Sequence, residues 1–588
     1  MGMGKRSAAL DYRKKNRRKL VKTVLQLAFL FAVGYLLFHT LVDVKQYAEP
    51  DRSQWKSDNG FIALSYFGVS RSGTPKLMSK RQLDEQLRTL KDQGYVTISQ
   101  QDVLDYYRDG KKLPDKALFL AFEDGRNDSS LFAQPLLEKY NFKATFLSYA
   151  DKMGDGQRKF VQPGGMKKMK KTGYWELGSN GYRLSYINVF DSEGNFLGAK
   201  DEKDLRNKMN IDYYNHYLMD FIRDGDMIPV EDRQQMEARI GADYAKMKMI
   251  YTDKLGYVPG VYMIMHANAM GQGMNRLVSN ANDANIRQIF QMHFNREGNA
   301  LNARSGELFD LTRVQPQAYW YTNHLLMKIQ KDTGREMKFV VGDAGRAEDW
   351  TVVRGAAQFI GNRIALTSEP SDAGLMVLKD SAQDRDVELS ATLAGNVVGK
   401  QSLYVRYDRR QDSYVRVTMD NNIVTIEQKK PGQAAETLLS RELDPVHWKE
   451  TDLALNKATV YARDQTLTRD LTEERQYPIN IKDTRKLRIS IQGDRLSVKA
   501  DKTLLLDGQA IDGAIGAGEV ALGSAHDAQN KQDDIYDAVF DDVKVTALDP
   551  DAEAGQVLYY TGYAGVQKVI GGAKRTFNDV VDWMIETF

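Results

Sequence analysis

Two adjacent carboxylates, Glu123 and Asp124, end the apolar run Ala117-Leu-Phe-Leu-Ala-Phe and are followed by Gly125. An apolar strand of this kind carries its last side chains to the rim of a sheet or barrel, where carboxylates meet a ligand instead of being entombed. One chemistry open to such a pair is metal-assisted hydrolysis, in which one carboxylate holds the ion and the other accepts a proton from the metal-bound water. Another is a metal-free glycan cleft, since paired carboxylates beside aromatic platforms also serve glycosidases and sugar-binding sites. The plain alternative is a turn, because acidic residues before glycine are common turn formers. Trp175 and Glu176 add an aromatic ring and a third carboxylate, and Asn180, Tyr182 and His266 complete the candidate substrate-binding residues. His266 follows an apolar stretch, where it is either a replacement ligand or a packing histidine. The chain has no cysteine and 7 histidines, so any zinc would need histidine and carboxylate ligands.

The elements that must position these residues alternate between strand and helix patterns. Phe61 to Phe67 reads as a strand, Ser79 to Gln93 as a helix with Ser79 as N-cap, Tyr95 to Ile98 as a strand and Gln100 to Arg108 as a helix. The run ending at Glu123 is the next strand, followed by a helix over Leu131 to Tyr140 and a strand over Lys143 to Leu147. Such alternation predicts a parallel sheet or barrel with its functional groups at the strand C-terminal ends. The stretch from Asp191 to Leu255 has helical character, and its aromatic stripe of Tyr213, Tyr214, Tyr217 and Phe221 is expected to pack on the barrel, with a sugar platform as the alternative.

The order of short strings over residues 60 to 335 resembles the polysaccharide deacetylase family, or NodB-homology domain. The strings are Ala63-Leu-Ser-Tyr-Phe-Gly-Val, Gln86 to Gly94-Tyr95, Leu113-Pro-Asp-Lys-Ala, Phe122-Glu-Asp-Gly, Lys143-Ala-Thr-Phe and Trp175-Glu-Leu-Gly-Ser. The resemblance implies a deformed (β/α) barrel that removes acetyl groups from an extracellular glycan. It also implies a divalent metal, usually zinc, held by one aspartate and two histidines spaced His-x-x-x-His. On this pattern Asp124 is the metal-binding aspartate and Glu123 stands at the general base, one methylene longer than the family's aspartate. Asn180 and Leu184 occupy the two histidine positions, and Phe67 stands where many relatives carry a further histidine. An amide oxygen is a feeble zinc ligand and leucine is none.

At the N-terminus, Lys5, Arg6, Arg13 to Lys15, Arg17 to Lys19 and Lys22 precede an apolar run from Val24 to Val42. At ~1.5 Å per residue this run approaches the ~30 Å bilayer core, so it reads as a single-pass anchor with the basic tail cytoplasmic. The expected organisation is a basic tail (1–22), an anchor (23–43), a tether (44–59) and a barrel (60–338) outside the membrane of a bacterium. Over the whole chain the 82 basic and 79 acidic residues nearly cancel, which gives no reason to propose nucleic acid as partner.

Beyond Met337 the pattern changes to short alternating strands separated by polar turns, as in Leu403 to Asp408, Tyr414 to Thr418 and Lys486 to Ile491. This predicts an antiparallel two-sheet sandwich. The order of Leu487-Arg-Ile-Ser-Ile, Gly518-Glu-Val-Ala-Leu-Gly and Phe540-Asp-Asp-Val-Lys-Val resembles a concanavalin/laminin-G-type jelly roll over 345–547. Asp533, Asp534, Asp541 and Asp542 stand there as calcium candidates or as solvated surface acids. A helical tail at 548–588, with an amphipathic end, is expected to follow.

Two readings of different class follow from the resemblance. One is a membrane-anchored deacetylase-like protein acting on a secreted or cell-surface polysaccharide through an altered metal site. The other is a non-catalytic descendant, a pseudoenzyme, that binds or guides an exopolysaccharide during assembly or export with other envelope proteins.

Overall fold

The structure is a computed structural model describing residues 20, 22–24, 26–27, 30–31, 45–74, 76–154, 156, 158–191, 193–204, 211–264, 274–394, 399–420, 423–443, 484–528, 533–548 and 555–562. Most of the expected anchor at 23–43 and the end of the tail at 563–588 lie outside these residues. Among the described residues no helix is long and apolar enough to cross a membrane.

The first domain is a barrel whose parallel path runs through β1 (Phe61–Tyr66), β2 (Ala117–Phe122), β3 (Ala144–Tyr149) and β4 (Trp175–Gly181). Between β4 and the remaining barrel strands, β5 (Ser185–Asp191), β6 (Phe196–Asp201) and β7 (Ile211–His216) form a separate antiparallel sheet. The path resumes with β8 (Val261–Met263), β9 (Met292–Glu297) and β10 (Leu311–Arg313). Val314 then closes it onto β1. Its N–H donates to Ala63 O at 3.0 Å, and its own carbonyl accepts from Ser65 N–H at 2.9 Å.

Strand alternation divides the side chains into two cores. Phe61, Ala63, Phe119, Ala121, Leu147, Val261, Met263, Met292, Phe294 and Leu311 fill the barrel. Ile62, Leu64, Tyr66, Leu120 and Phe122 face outward, where α1 (Lys80–Asp92) contributes Leu83, Leu87 and Leu90. Ser79 caps α1 in a capping box with Gln82, as its sequence position predicts. Around the barrel follow α2 (Gln100–Arg108), α3 (Asn127–Tyr140), α4 (Pro163–Lys171), α5 (Arg233–Leu255), α6 (Arg276–Ile289) and α7 (Thr322–Thr333).

The expectation of helix throughout Asp191 to Leu255 is corrected, because β6 and β7 precede α5. The run Ile211-Asp-Tyr-Tyr-Asn-His is rich in aromatic side chains, which favour a pleated, half-buried surface, and it pairs with β5. Phe221, Met247 and Tyr251 do pack on the outer barrel core.

Two antiparallel sheets, of seven and eight strands among the described residues, build the second domain. Their inner faces share one core that includes Phe359, Leu366, Leu403, Val417, Ile489, Leu522 and Phe540. This sandwich extends past 547, since Val557–Tyr560 pairs with the long strand Asp537–Ala547. That part of the expected helical tail is therefore a strand.

Candidate functional site

Glu123 directly follows β2 and continues the inward-facing series of Phe119 and Ala121, so its side chain enters the top of the barrel. Its Oε1 accepts hydrogen bonds from Ser65 Oγ, from Arg313 Nε at 3.1 Å and from Gln315 Nε2 at 3.3 Å. Both charged partners are almost fully buried. Arg313 continues the inward series of Leu311 on β10 and also donates from Nη2 to Ile264 O at 3.3 Å. Glu123 Oε2 and Arg313 Nη1 have no hydrogen-bond partner among the described residues. Sequence reading missed Ser65, Arg313 and Gln315. The inward parity of Leu311 and Arg313 was the available signal for one of them.

Asp124 turns the opposite way, with φ of +66° in the left-handed region. Gly125 continues that turn at φ +64°, and a Cβ there would sit 3.2 Å from Ser148 Cα. The turn is therefore pressed against β3. Asp124 N–H donates to Asn180 Oδ1 at 3.0 Å, and Asn180 Nδ2 donates to Met263 O at 2.9 Å. The amide thus cross-links the ends of β2, β4 and β8 through both of its polar atoms. Asp124 itself is buried, and its nearest paired cation, Arg126, stands 3.9 Å away. Burial pushes the Asp124 carboxyl up to about 7, against the pull of Lys159, Arg126 and Lys152, with Glu202 reinforcing the rise. At neutral pH it is close to half protonated.

The second histidine position is apolar in environment as well as in residue type. Leu184 packs with Tyr149, Tyr186, Val189, Ile211 and Tyr214, and Phe67 lies against the same cluster. The extra sheet of β5 to β7 supplies most of these side chains, so the insertion fills the ground beside Asp124 with hydrocarbon. Tyr149 is buried there with no hydroxyl partner among the described residues, and burial, then the Asp124 charge, raise its phenol well above its ordinary value.

Trp175 and Glu176 are not on the rim. They start β4, at the opposite end of the strand from Asn180. Trp175 is enclosed by Phe122 and Phe146 at 5.4 and 5.8 Å between ring centroids and donates from Nε1 to Gln134 Oε1 at 2.5 Å. Glu176 accepts from Gln100 N–H at 2.8 Å, at the first turn of α2 where a carboxylate suits the helix dipole. Both are structural. Tyr182 follows β4 on the correct side, half-buried, with the Lys246 ammonium 5.1 Å and the Arg183 guanidinium 5.3 Å from its ring centre. His266 lies outside the described residues. His293 is buried against Tyr262, and burial lowers it to about 3, so it stays neutral.

Residues 110–217 match the family model for polysaccharide deacetylase. The chain carries a polysaccharide deacetylase domain. Poly-beta-1,6-N-acetyl-D-glucosamine N-deacetylase of Escherichia coli K12 is 33% identical over 108 residues, which are 17% of this chain and 16% of the relative. The enzyme of the same name from Staphylococcus aureus MRSA252 is 24% identical over 180 residues, 27% of this chain and 60% of the relative. The chain thus spans about a sixth of the first relative and three-fifths of the second. Among solved structures, a de-N-acetylase from Aggregatibacter actinomycetemcomitans aligns with 18% identity and a TM-score of 0.34, covering 45% of this chain and 95% of that one. The carbohydrate binding module CBM66 from Bacillus subtilis aligns with 16% identity and a TM-score of 0.23, covering 34% of this chain and 94% of that one.

The deacetylase domain's own donor set does not fit the zinc ion that the family resemblance implies. Asp124 offers a carboxylate, the Asn180 amide is already used in both directions, and Leu184 has no donor atom. Among the described residues no group of three or more histidines and carboxylates could hold a metal ion. The paired acids of the sandwich are likewise engaged by protein groups. Asp533 and Asp534 meet His324 and Lys331, and Asp541 and Asp542 meet Asn362, with Asp541 also paired to Arg363.

Proposed function

We propose that this deacetylase-like protein binds a secreted or cell-surface polysaccharide at the barrel mouth without hydrolysing it through a resident metal. The observation that carries this reading is the Asn180 cross-link, which commits the first histidine position to holding the backbone of Asp124. The apolar surroundings of Leu184 support it from the second position. A glycan with an amino-sugar backbone fits the names of the relatives, which act on poly-beta-1,6-N-acetyl-D-glucosamine. The mouth retains what a polar ligand needs. The Glu123–Arg313 pair is a buried ionic floor, Asp124 is close to half protonated at neutral pH, and Tyr182 stands on the rim.

The basic tail and the apolar run up to Val42 support a reading in which a single-pass anchor holds both folded domains outside a bacterial membrane. Other envelope or exopolysaccharide-synthesis proteins are its natural partners there. The jelly-roll assignment of the sandwich belongs to the same proposal.

The full chain, purified in detergent, tests this directly through metal analysis, acetate release from poly-β-1,6-N-acetylglucosamine, and co-sedimentation with that polymer. Substoichiometric zinc, no acetate and retained co-sedimentation are expected. Stoichiometric zinc with acetate release that disappears in Glu123→Gln would establish the hydrolase instead.

A further inference from the structure

The outer face of the seven-stranded sheet carries a second surface suited to sugar, independent of the barrel mouth. It spans β11 (Lys400–Asp408), β12 (Ser413–Asp420), β13 (Ile423–Lys429) and β14 (Glu519–Ala525). Leu403, Val405, Val415, Val417, Val424, Ile426 and Leu522 from these strands point into the sandwich core. Alternation then turns Ser402, Tyr404, Arg416, Thr418 and Glu427 outward.

Three tyrosines meet on this face. Tyr404 and Tyr414 are 5.4 Å apart between ring centroids and 82° between planes, while Tyr407 lies 5.4 Å from Tyr404 and 6.4 Å from Tyr414. Gly523 lies opposite Ser402 on β14, and a Cβ there would come within 3.1 Å of the Tyr404 ring. The half-buried Tyr404 ring therefore lies down across the glycine, while Tyr414 is buried beside it and props it, with the Arg416 guanidinium 5.7 Å from the Tyr404 ring centre and 5.0 Å from that of Tyr414. The ring is held in place at its rim, because Arg416 Nη1 donates to Tyr404 Oη at 3.3 Å. Arg416 is in turn fixed to Glu427 Oε2 by Nε at 2.9 Å and Nη2 at 2.6 Å. One step along the strands, Ser402 and Thr418 hydroxyls pair at 2.9 Å.

The charge on this face cancels locally. Arg416 pairs with Glu427, Arg409 with Glu519 through two bonds of 2.7 Å, and Lys429 with Asp412. A surface with a flat ring, an upright ring, fixed polar groups and no net charge is complementary to an uncharged, hydroxyl-rich ring. We infer that Tyr404, Tyr414 and the Arg416–Glu427 pair form a binding site for an uncharged pyranose glycan strand, with a sugar face stacked on Tyr404. Sugar C–H groups meet the negative face of the aromatic ring, and vicinal hydroxyls meet the guanidinium and carboxylate. The site goes beyond the barrel proposal and does not need it.

The test is calorimetric titration of the full chain in detergent with three hexasaccharides at pH 6. These are cellohexaose, the neutral N-acetylglucosamine hexamer and its fully de-N-acetylated, cationic counterpart. At least one neutral hexamer binds, and Tyr404→Ala weakens it by about tenfold or more. Tyr404→Phe restores most of the loss, with unfolding midpoints of both variants matched to the parent as the check on folding. The inference is overturned if neither neutral hexamer binds, if Tyr404→Ala and Tyr414→Ala leave binding unchanged, or if the cationic hexamer binds more tightly than both neutral ones. Failure here leaves the acetate and metal measurements on the barrel untouched, so the two proposals fall separately.

Discussion

The barrel mouth and the barrel–sandwich interface put histidine and aspartate chemistry in opposite places from those the sequence suggests. At the interface, His324 from α7 donates through Nδ1 to Asp537 and through Nε2 to Asp533, both at 3.0 Å. Trp320 stacks on the imidazole at 4.2 Å and donates to Asp533 at 2.9 Å, while Thr367 Oγ1 donates to Asp537 at 2.6 Å. Every polar atom in this cluster that matters to its charge has a counterpart. At the mouth, Asp124 is equally buried but has its nearest paired cation at 3.9 Å. The comparison separates carboxylates buried against a cation that holds the domains together from one buried at a cost with no cation closer than 3.9 Å.

The largest expected effect tests the interface side of this contrast. Burial alone would lower His324, but the Asp533 and Asp537 carboxylates raise it to about 10. A histidine raised from 6.5 contributes stability that is complete below about pH 6.5 and is lost as pH rises toward 10. His324→Ala removes one partner of a buried ionic cluster and is expected to cost about 3–5 kcal/mol at pH 6. Calorimetric unfolding at pH 6 and pH 9.5 checks it. The deficit of the variant should shrink at the higher pH, and a deficit equal at both values would mean that His324 acts by packing alone.

The mouth gives the opposite sign. An aspartate whose folded value rises from 3.8 to about 7 is neutral in both states below about pH 4, and its burial costs stability increasingly as pH climbs to 7. Asp124→Asn removes that cost and also suits the left-handed backbone, which asparagine tolerates better than most residues. At about 1.4 kcal/mol for each pH unit between those two values, the variant should be more stable than the parent by up to about 4.5 kcal/mol at pH 8 and equal to it near pH 4. Urea unfolding of the barrel at the two pH values measures this. A variant less stable at pH 8 would mean that the Asp124 anion is held by groups the described cluster lacks.

Much of the barrel was legible because its local signals agree. The β/α alternation, the Ser79 cap and the acidic end of β2 all depend on neighbours within a few residues. Glu123 and Asp124 stand at the C-terminal end of β2 for that reason, although both carboxylates are buried there rather than open at a rim. Trp175 and Glu176 were not legible in this way, because only the register of β4 decides which end of a strand a residue occupies, and that register is fixed by pairing with β3. The His324 cluster was invisible for a stronger reason, since its partners come from the start of a strand and the loop before it, more than two hundred residues later in another domain. The aromatic face of the sandwich was hidden similarly, because Tyr404 and Gly523 meet only through the pairing of β11 with β14.

A smaller effect sharpens the role given to Asn180. Asn180→Ala leaves the Asp124 N–H and the Met263 carbonyl without partners in a buried place, at an expected cost of about 2–3 kcal/mol. Asn180→His should suffer a comparable loss and gain no stoichiometric zinc, because Leu184 and its aromatic neighbours still occupy the second ligand position. Unfolding curves with metal analysis of the same samples decide it. Stoichiometric zinc in the histidine variant would show that the mouth is one substitution from a working metal site, and the contrast with the interface would narrow accordingly.

The smallest effect concerns Trp175, the aromatic residue that the sequence placed beside the ligand and the structure places at the far end of β4. Its indole N–H donates to Gln134 within the packing between barrel and helices, and its ring sits between Phe122 and Phe146. Trp175→Phe keeps an aromatic ring there, loses one buried hydrogen bond and leaves a modest void, which together should cost about 1–2 kcal/mol. Glycan co-sedimentation should not change, because no part of Trp175 reaches the C-terminal rim. Tyr182→Ala, by contrast, should weaken co-sedimentation while leaving stability nearly unaltered, since Tyr182 is half-buried on that rim beneath Lys246 and Arg183. If the two substitutions exchanged these outcomes, the glycan would have to lie at the N-terminal end of the barrel, and the assignment of the mouth to Glu123, Asp124 and Tyr182 would fail with it.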